Sequence, residues 1–196
     1  MVESTGLICG IDEAGRGPLA GPVCASAVIL GHLIDRTELK DSKQLSPVRR
    51  ERIAAYIISE AAAVGIGWAW PEEIDKINIH HASLLAMQRA FEALPSEAPI
   101  VSMVLVDGKF IPVLPRPAEA IIKGDARVPE ISAASIVAKV ARDRWMLRYS
   151  WIESKWSFET HKGYPTVKHR ELCRLHGLSP IHRRSFKIYP YLYGCG

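Results

Sequence analysis

Cys9-Gly10-Ile11-Asp12-Glu13-Ala14-Gly15-Arg16-Gly17-Pro18 is the stretch on which the fold turns. The apolar run 7–11 has the composition of a strand, and it ends on two adjacent carboxylates. A strand end is rigid and exposed, so it holds an acid in fixed geometry. A glycine-flanked arginine follows at once, and glycine lets backbone approach a ligand closely. Asp12 is therefore a candidate metal ligand that needs acids from elsewhere to complete it. Gly15-Arg16-Gly17 is a candidate grip on a sugar-phosphate backbone.

Four further segments read as strands. Residues 23–30 are apolar and β-rich, and 66–70 place Trp68 and Trp70 on one face. Residues 101–106 are the strongest strand signal and end on Asp107-Gly108. Residues 120–123 form a short strand that leads to Gly124-Asp125. Between these elements the period changes to that of helices. Ser46-Pro47 is a cap and first-turn pair before Ile53, Ile57, Ala61 and Val64. Residues 72–76 read as a short helical turn, and Asn78 as the cap of a longer helix carrying Leu84, Met87 and Phe91. A long helix is expected from Ser132 to about Tyr149, with Trp145, Trp151 and Trp156 anchoring the C-terminal part of the chain. Thr166 caps a short helix that Gly177 closes.

The order is β, β, helix, β, helix, β, β, helix, then small helices. Early strands follow one another directly and later ones are separated by helices. That pattern predicts an α/β fold with a mixed five-stranded sheet and helical cover. If the first and fourth strands are parallel neighbours, Asp12 and Asp107 lie at one sheet edge, where α/β sites form.

Composition places the chain among soluble globular proteins: 196 residues, 48% hydrophobic, 23% charged. No apolar run approaches the roughly 18 residues of a membrane span, and the first residues lack the pattern of a signal peptide. The four cysteines (Cys9, Cys24, Cys173, Cys195) lack metal-ligand spacing and read as free thiols of a reducing cytoplasm. Residues 151–196 carry eight Lys/Arg against three acids, whereas the first 150 are nearly balanced. A near-neutral body with a basic end suits a polyanion held across an acidic metal site.

Three carboxylates follow strand-like runs: Asp12, Asp107 and Asp125. Glu13 adds a fourth. Like charges at close range repel, so raised pKa values or bound cations are expected. Hard oxygen ligands suit Mg²⁺ or Mn²⁺. Asp35, Asp75 and Asp143 lack the strand-end setting and are left out.

At this point the motifs resemble ribonuclease HII, the bacterial type 2 ribonuclease H. Residues 10–17 match its signature. Asp41-Ser42-Lys43, Val106-Asp107-Gly108, Lys123-Gly124-Asp125, residues 131–139, His161-Lys162-Gly163-Tyr164 and residues 182–186 come next, in the family's order. The resemblance implies a ribonuclease H-like core over 1–150. A C-terminal helical segment, 151–196, completes the substrate groove within one continuous domain. It implies a hydrolase that cuts the RNA strand of RNA–DNA hybrids, and DNA duplexes 5′ to embedded ribonucleotides, leaving 3′-hydroxyl and 5′-phosphate ends. Asp12, Glu13, Asp107 and Asp125 match the catalytic and metal-binding acids, with Mg²⁺ or Mn²⁺ in a two-metal mechanism. Gly15, Arg16 and Gly17 match the turn that reads the 2′-hydroxyl, and Tyr164 the aromatic that packs on the sugar. Lys43 matches a phosphate contact. Lys139, Arg142, Lys162, Arg183 and Arg184 are weaker groove candidates. Ser132 and Ser135 are candidates for phosphate contact or helix capping, and His161 and His182 are read as structural. A cytoplasmic monomer without membrane attachment is expected, since no exposed coiled-coil or large apolar stripe appears, and no protein partner is indicated, the tail showing no recognisable clamp-binding motif.

Two other classes fit less well. A sugar-kinase-like ATPase needs two lobes and gives no reason for Asp12-Glu13 before Arg16. A non-catalytic nucleic-acid-binding module gives no reason for acids beside phosphate, where they weaken binding.

Overall fold

The computed structural model describes residues 7–32, 34–39 and 46–188. One sheet holds β1 (Leu7–Ala14), β2 (Val23–Ile29), β3 (Ala63–Ala69), β4 (Val101–Asp107) and β5 (Ala118–Ile121), in the order β3-β2-β1-β4-β5. The first three strands form an antiparallel meander, and β4 and β5 add in parallel on the other side of β1. The opening strand is thus the middle strand of a mixed sheet.

Helices α1 (Pro47–Glu60) and α3 (Pro129–Ile152) cover one face, and α2 (Pro71–Glu92) covers the other. Strand alternation sorts the cores. Cys9, Ile11, Val104 and Val106 face α2, where they pack with Ile74, Ala86 and Met87. Val28 packs with Ile53, Ile57, Ile136 and Val137 from α1 and α3. Gly10 points to the α3 side for a steric reason. A Cβ there would lie 2.1 Å from the Glu130 carbonyl carbon, so only glycine lets the start of α3 rest on β1.

The caps form where the sequence places them. Ser46 accepts from the Arg49 N–H, and Thr166 from the His169 N–H at the start of α5 (Val167–His176). Asn78 interrupts α2 at φ 64, and its Oδ1 accepts from the His80 and His81 N–H groups. The predicted short turn and longer helix are therefore two segments joined at a kink.

Several expectations change. Helix α1 ends at Glu60, so Val64 belongs to β3, which runs Ala63–Ala69 and stops before Trp70. The fifth strand ends at Ile121, because Lys123 turns left-handed at φ 56 and Asp125 falls in the 3₁₀ turn Gly124–Ala126. Helix α3 begins at Pro129 rather than Ser132, since Val128 is extended and proline fits the first turn. Trp151 is exposed, and it is Trp156 that is buried, together with Phe158, Met146 and Cys173.

That last cluster also takes in Leu19 and Ala20, so residues from 151 onward share a core with the segment after β1. Backbone bonds reinforce it: Leu19 N–H to Gly163 at 2.8 Å, Gly21 N–H to Ile181 at 2.8 Å, and Arg183 N–H to Leu19 at 2.9 Å. The short helix α4 (Phe158–His161) and α5 are held in this way beside the end of β1. Cys9, Cys24 and Cys173 are buried, and Cys195 lies outside the described residues.

Candidate active site

Ile11 of β1 pairs with Val106 of β4 in parallel, so Asp12 and Asp107 are the next residues on adjacent strands. Asp12 is 5% exposed. Burial, then the charges of Glu13 and Asp107, push its carboxyl well above the ordinary range. The Ser135 hydroxyl on α3 and the Glu13 N–H, 2.7 Å from Oδ1, work against that rise. Asp107 Oδ1 accepts from the Gly124 N–H at 2.7 Å and the Asp125 N–H at 3.4 Å. The turn after β5 is thereby wrapped over Asp107, which brings the buried Asp125 alongside.

Glu13 completes the group. Burial raises its pKa and the Arg16 guanidinium, 3.2 Å from Oε1, holds it down. Its other oxygen, Oε2, is buried and has no hydrogen-bond partner among the described residues. A buried carboxylate oxygen without a donor is costly unless something else satisfies it. Such an orphan oxygen, next to the neighbouring carboxylates Asp12 and Asp107, suits a hard divalent cation, although among the described residues no three of these carboxylates bring oxygens within 4.8 Å of one another.

The Gly15-Arg16-Gly17 turn is built around buried arginines. Gly15 has φ 97, and a Cβ on it would lie 2.1 Å from Arg142 Nε. Arg183 donates to the carbonyl oxygens of Gly15 at 2.6 Å, Arg16 at 2.9 Å and Gly21 at 2.9 Å. Arg142 donates to those of Pro22 at 2.9 Å, Ala20 at 3.1 Å and Lys162 at 3.1 Å. Both guanidiniums are fully buried, which corrects their reading as groove contacts. Burial, then the neighbouring Arg142 charge, push Arg183 down to about 9, so it stays charged at neutral pH. In a trans peptide the N–H lies opposite the preceding C=O. With the Gly15 and Arg16 carbonyls turned to Arg183, the Arg16 and Gly17 N–H groups point away from it.

Tyr164 stands on this turn's open side. A Cβ on Gly17 would lie 3.9 Å from its ring, and Lys139 Nζ is 5.6 Å from the ring centroid. Glu13, Gly15, Arg50, Ser135, Lys139 and Tyr164 line one groove of about 380 Å³. Of the nine candidates, Glu13, Gly15 and Tyr164 line the groove, Asp12, Asp107 and Asp125 adjoin one another at the strand ends, Arg16 pairs with Glu13, Gly17 lies against Tyr164, and Lys43 lies outside the described residues. Ser132 is spent elsewhere, donating to the Leu39 carbonyl at 2.5 Å. Lys162 donates to the Glu159 carbonyl, and the Arg184 N–H goes to Asp75. Asp75, set aside in the sequence, anchors the Arg184-Ser185 segment through both of its oxygens.

A mixed sheet with acids gathered at the end of its central parallel pair, beside a groove, defines a nuclease of the ribonuclease H class. The comparisons narrow this. The family model for ribonuclease HII matches residues 9–189, and the chain belongs to the ribonuclease HII family. A ribonuclease HII of Marinomonas sp. strain MWYL1 is 55% identical over 181 residues, covering 92% of this chain and 89% of that protein. One from Treponema denticola is 49% identical over 195 residues, covering 93% and 98%. Among solved structures, ribonuclease H2 from Pyrococcus horikoshii OT3 superposes with a TM-score of 0.71 at 26% identity, over 93% of this chain and 94% of that one. Bst-RNase HIII, solved in complex with Mn²⁺, shares the fold at a TM-score of 0.73 and 18% identity, over 94% of this chain and 68% of that one. The chain is thus an endoribonuclease hydrolase of the ribonuclease H type, acting on nucleic acid. Among the described residues no helix is long and apolar enough to cross a membrane.

Proposed function

We propose that the chain is a divalent-metal-dependent endonuclease. It cuts the RNA strand of RNA–DNA hybrids and cuts duplex DNA 5′ to embedded ribonucleotides, leaving 3′-hydroxyl and 5′-phosphate ends. The observation that carries this is a groove lined by Glu13, Gly15 and Tyr164, beside the strand ends where Asp12 and Asp107 are neighbours.

Asp12, Glu13, Asp107 and Asp125 would hold Mg²⁺ or Mn²⁺. Bound there, the ions would activate water and stabilise charge at a scissile phosphate, two of them serving its attacking and leaving oxygens. The chain's own contribution is placement. Sheet pairing fixes Asp12 against Asp107, the Gly124 and Asp125 amides orient Asp107, and Arg16 holds one oxygen of Glu13. The Arg16 and Gly17 N–H groups are the donors we assign to the 2′-hydroxyl and its neighbouring phosphate. The Tyr164 ring, on the far side of Gly17, packs on the sugar and senses its position. Lys139, beside that ring, and Lys43 supply charge to the backbone. Residues 151–196 complete the groove of a core spanning 1–150, and Tyr164 is what that segment contributes to the groove's lining.

Metal dependence tests this reading. Protein stripped with a chelator should leave a labelled RNA–DNA hybrid intact and regain cleavage when Mg²⁺ or Mn²⁺ is restored. Undiminished cutting by the stripped protein would overturn it.

A further inference from the structure

The buried histidines of α4, α5 and the stretch after α5 form a second constellation. His169, Cys173 and His182 bring their ligand atoms within 4.8 Å of one another, which superficially suits a soft metal. The hydrogen bonds assign the protons differently. The Ser179 N–H donates to His182 Nδ1 at 2.8 Å, so that nitrogen is an acceptor and the ring proton sits on Nε2. His169 Nδ1 lies 2.9 Å from the Tyr164 carbonyl oxygen, which can only accept, so Nδ1 carries that ring's proton and Nε2 is free to accept. The two Nε2 atoms are 3.0 Å apart and share the His182 proton. A metal on His182 Nε2 would shift that proton to Nδ1, against the Ser179 N–H, where only the Ser179 hydroxyl, also 2.8 Å away, could accept it. Cys173, 3.1 Å from the same Nε2, is kept as a thiol by burial, its pKa pushed up to about 11.

The bonds therefore run one way, from Ser179 through His182 and His169 to the Tyr164 carbonyl. His161 braces the same turn. Its ring stacks on His169 at 4.2 Å, its Nδ1 accepts from the Gly163 N–H at 3.2 Å, and its Nε2 donates to the Trp156 carbonyl at 2.8 Å. The His169 ring thus holds the Tyr164–Pro165 peptide and the His161 ring the Lys162–Gly163 peptide, while the Tyr164 N–H itself donates to the His161 backbone carbonyl at 2.8 Å.

We propose that His169 and His182 are positioning residues for ribonucleotide selection, a directed hydrogen-bond relay that holds Tyr164 beside Gly17. This rests on the assignment of Tyr164 to the sugar made above. Because the relay touches neither acids nor substrate, it acts on selectivity more than on the chemical step.

The test compares cleavage at a single embedded ribonucleotide with cleavage of a continuous hybrid. Asparagine places an amide N–H near the position of His169 Nδ1, and leucine does not. His169→Leu should lower the ratio about fivefold to tenfold, the effect of one buried hydrogen bond, and His169→Asn should restore most of it. A folded His169→Leu protein with an unchanged ratio, or failure of His169→Asn to rescue, would overturn the relay. Nitrogen-15 NMR of the unaltered protein gives an independent reading: Nδ1–H on His169 and Nε2–H on His182, with the opposite tautomer on either ring contradicting it. Co²⁺ added to the unaltered protein should give no thiolate charge-transfer band. A band that Cys173→Ser abolishes would make the cluster a metal site instead. Tyr164→Ala separates the two levels. An unchanged ratio there defeats the substrate assignment itself, whereas a ratio lost in Tyr164→Ala but kept in His169→Leu defeats the relay alone.

Discussion

Arg183 Nη2 donates to the Gly15 carbonyl oxygen at 2.6 Å, which ties the C-terminal segment to the turn that comes after the first acids. The same guanidinium reaches Arg16 and Gly21 and lies over the Phe186 ring at 5.1 Å. Lysine carries the charge but lacks the planar fork that spans three carbonyls. Arg183→Lys should therefore lose about 2–4 kcal/mol of stability, as expected when buried acceptors lose their donors. It should also raise KM more than it lowers kcat. Urea unfolding beside steady-state cleavage checks both, and unchanged stability would contradict the clamp.

Asp107→Asn isolates charge from structure. The amide oxygen of asparagine still accepts from the Gly124 N–H, so the turn after β5 should persist and unfolding should be little changed. Activity should fall at least about 100-fold, the scale seen when a site loses one main electrostatic contributor. A near-normal rate in the folded variant would remove Asp107 from the metal site.

Gly10→Ala tests how the central strand meets α3. The added methyl would sit 2.1 Å from the Glu130 backbone, which has no flexible end to yield. The helix must move, and Ser135 with it, so we expect a loss of about 3 kcal/mol and a matching fall in activity. Thermal unfolding measures the first, and a variant as stable as the parent would contradict the close approach.

Acid stability depends on the histidine pair. Burial, countered in part by hydrogen bonds, depresses His169 and His182 from the ordinary 6.5 to about 4. Unfolded chains take up these protons first as pH falls, so stability is lost between about pH 6.5 and 4 and is level above that window. The loss is on the order of 3 kcal/mol for one such histidine. His182→Asn, whose side-chain oxygen can replace Nδ1 as acceptor for Ser179, should flatten this limb. Unfolding measured across the window, with no pH dependence in the parent, would contradict the buried neutral pair.

The sheet and its acids were legible because strand-end carboxylates need only local pattern to be noticed, and Val101–Asp107 carries that pattern without interruption. The parallel pairing that joins Asp12 to Asp107 was legible as a condition, since the intervening helices supply the crossover. Arg142 and Arg183 were not legible as buried. Sequence marks them only as basic, and the carbonyls that satisfy them come from the loop 15–22 and from Lys162, far away in the chain. The end of the fifth strand was missed for a similar reason: Ile122 and Lys123 have strand-like composition, but the pull of Asp107 on the Gly124 amide turns the chain early.

We propose that one groove both reads a ribonucleotide and cuts beside it. The direct measurement uses two labelled duplexes, identical except for one ribonucleotide in a DNA strand, incubated with protein and Mg²⁺ or Mn²⁺. The expected result is a single cut 5′ to the ribonucleotide, with 3′-hydroxyl and 5′-phosphate ends, and none in the all-DNA duplex. Equal cutting of both duplexes, or a cut placed without regard to the ribonucleotide, would contradict it.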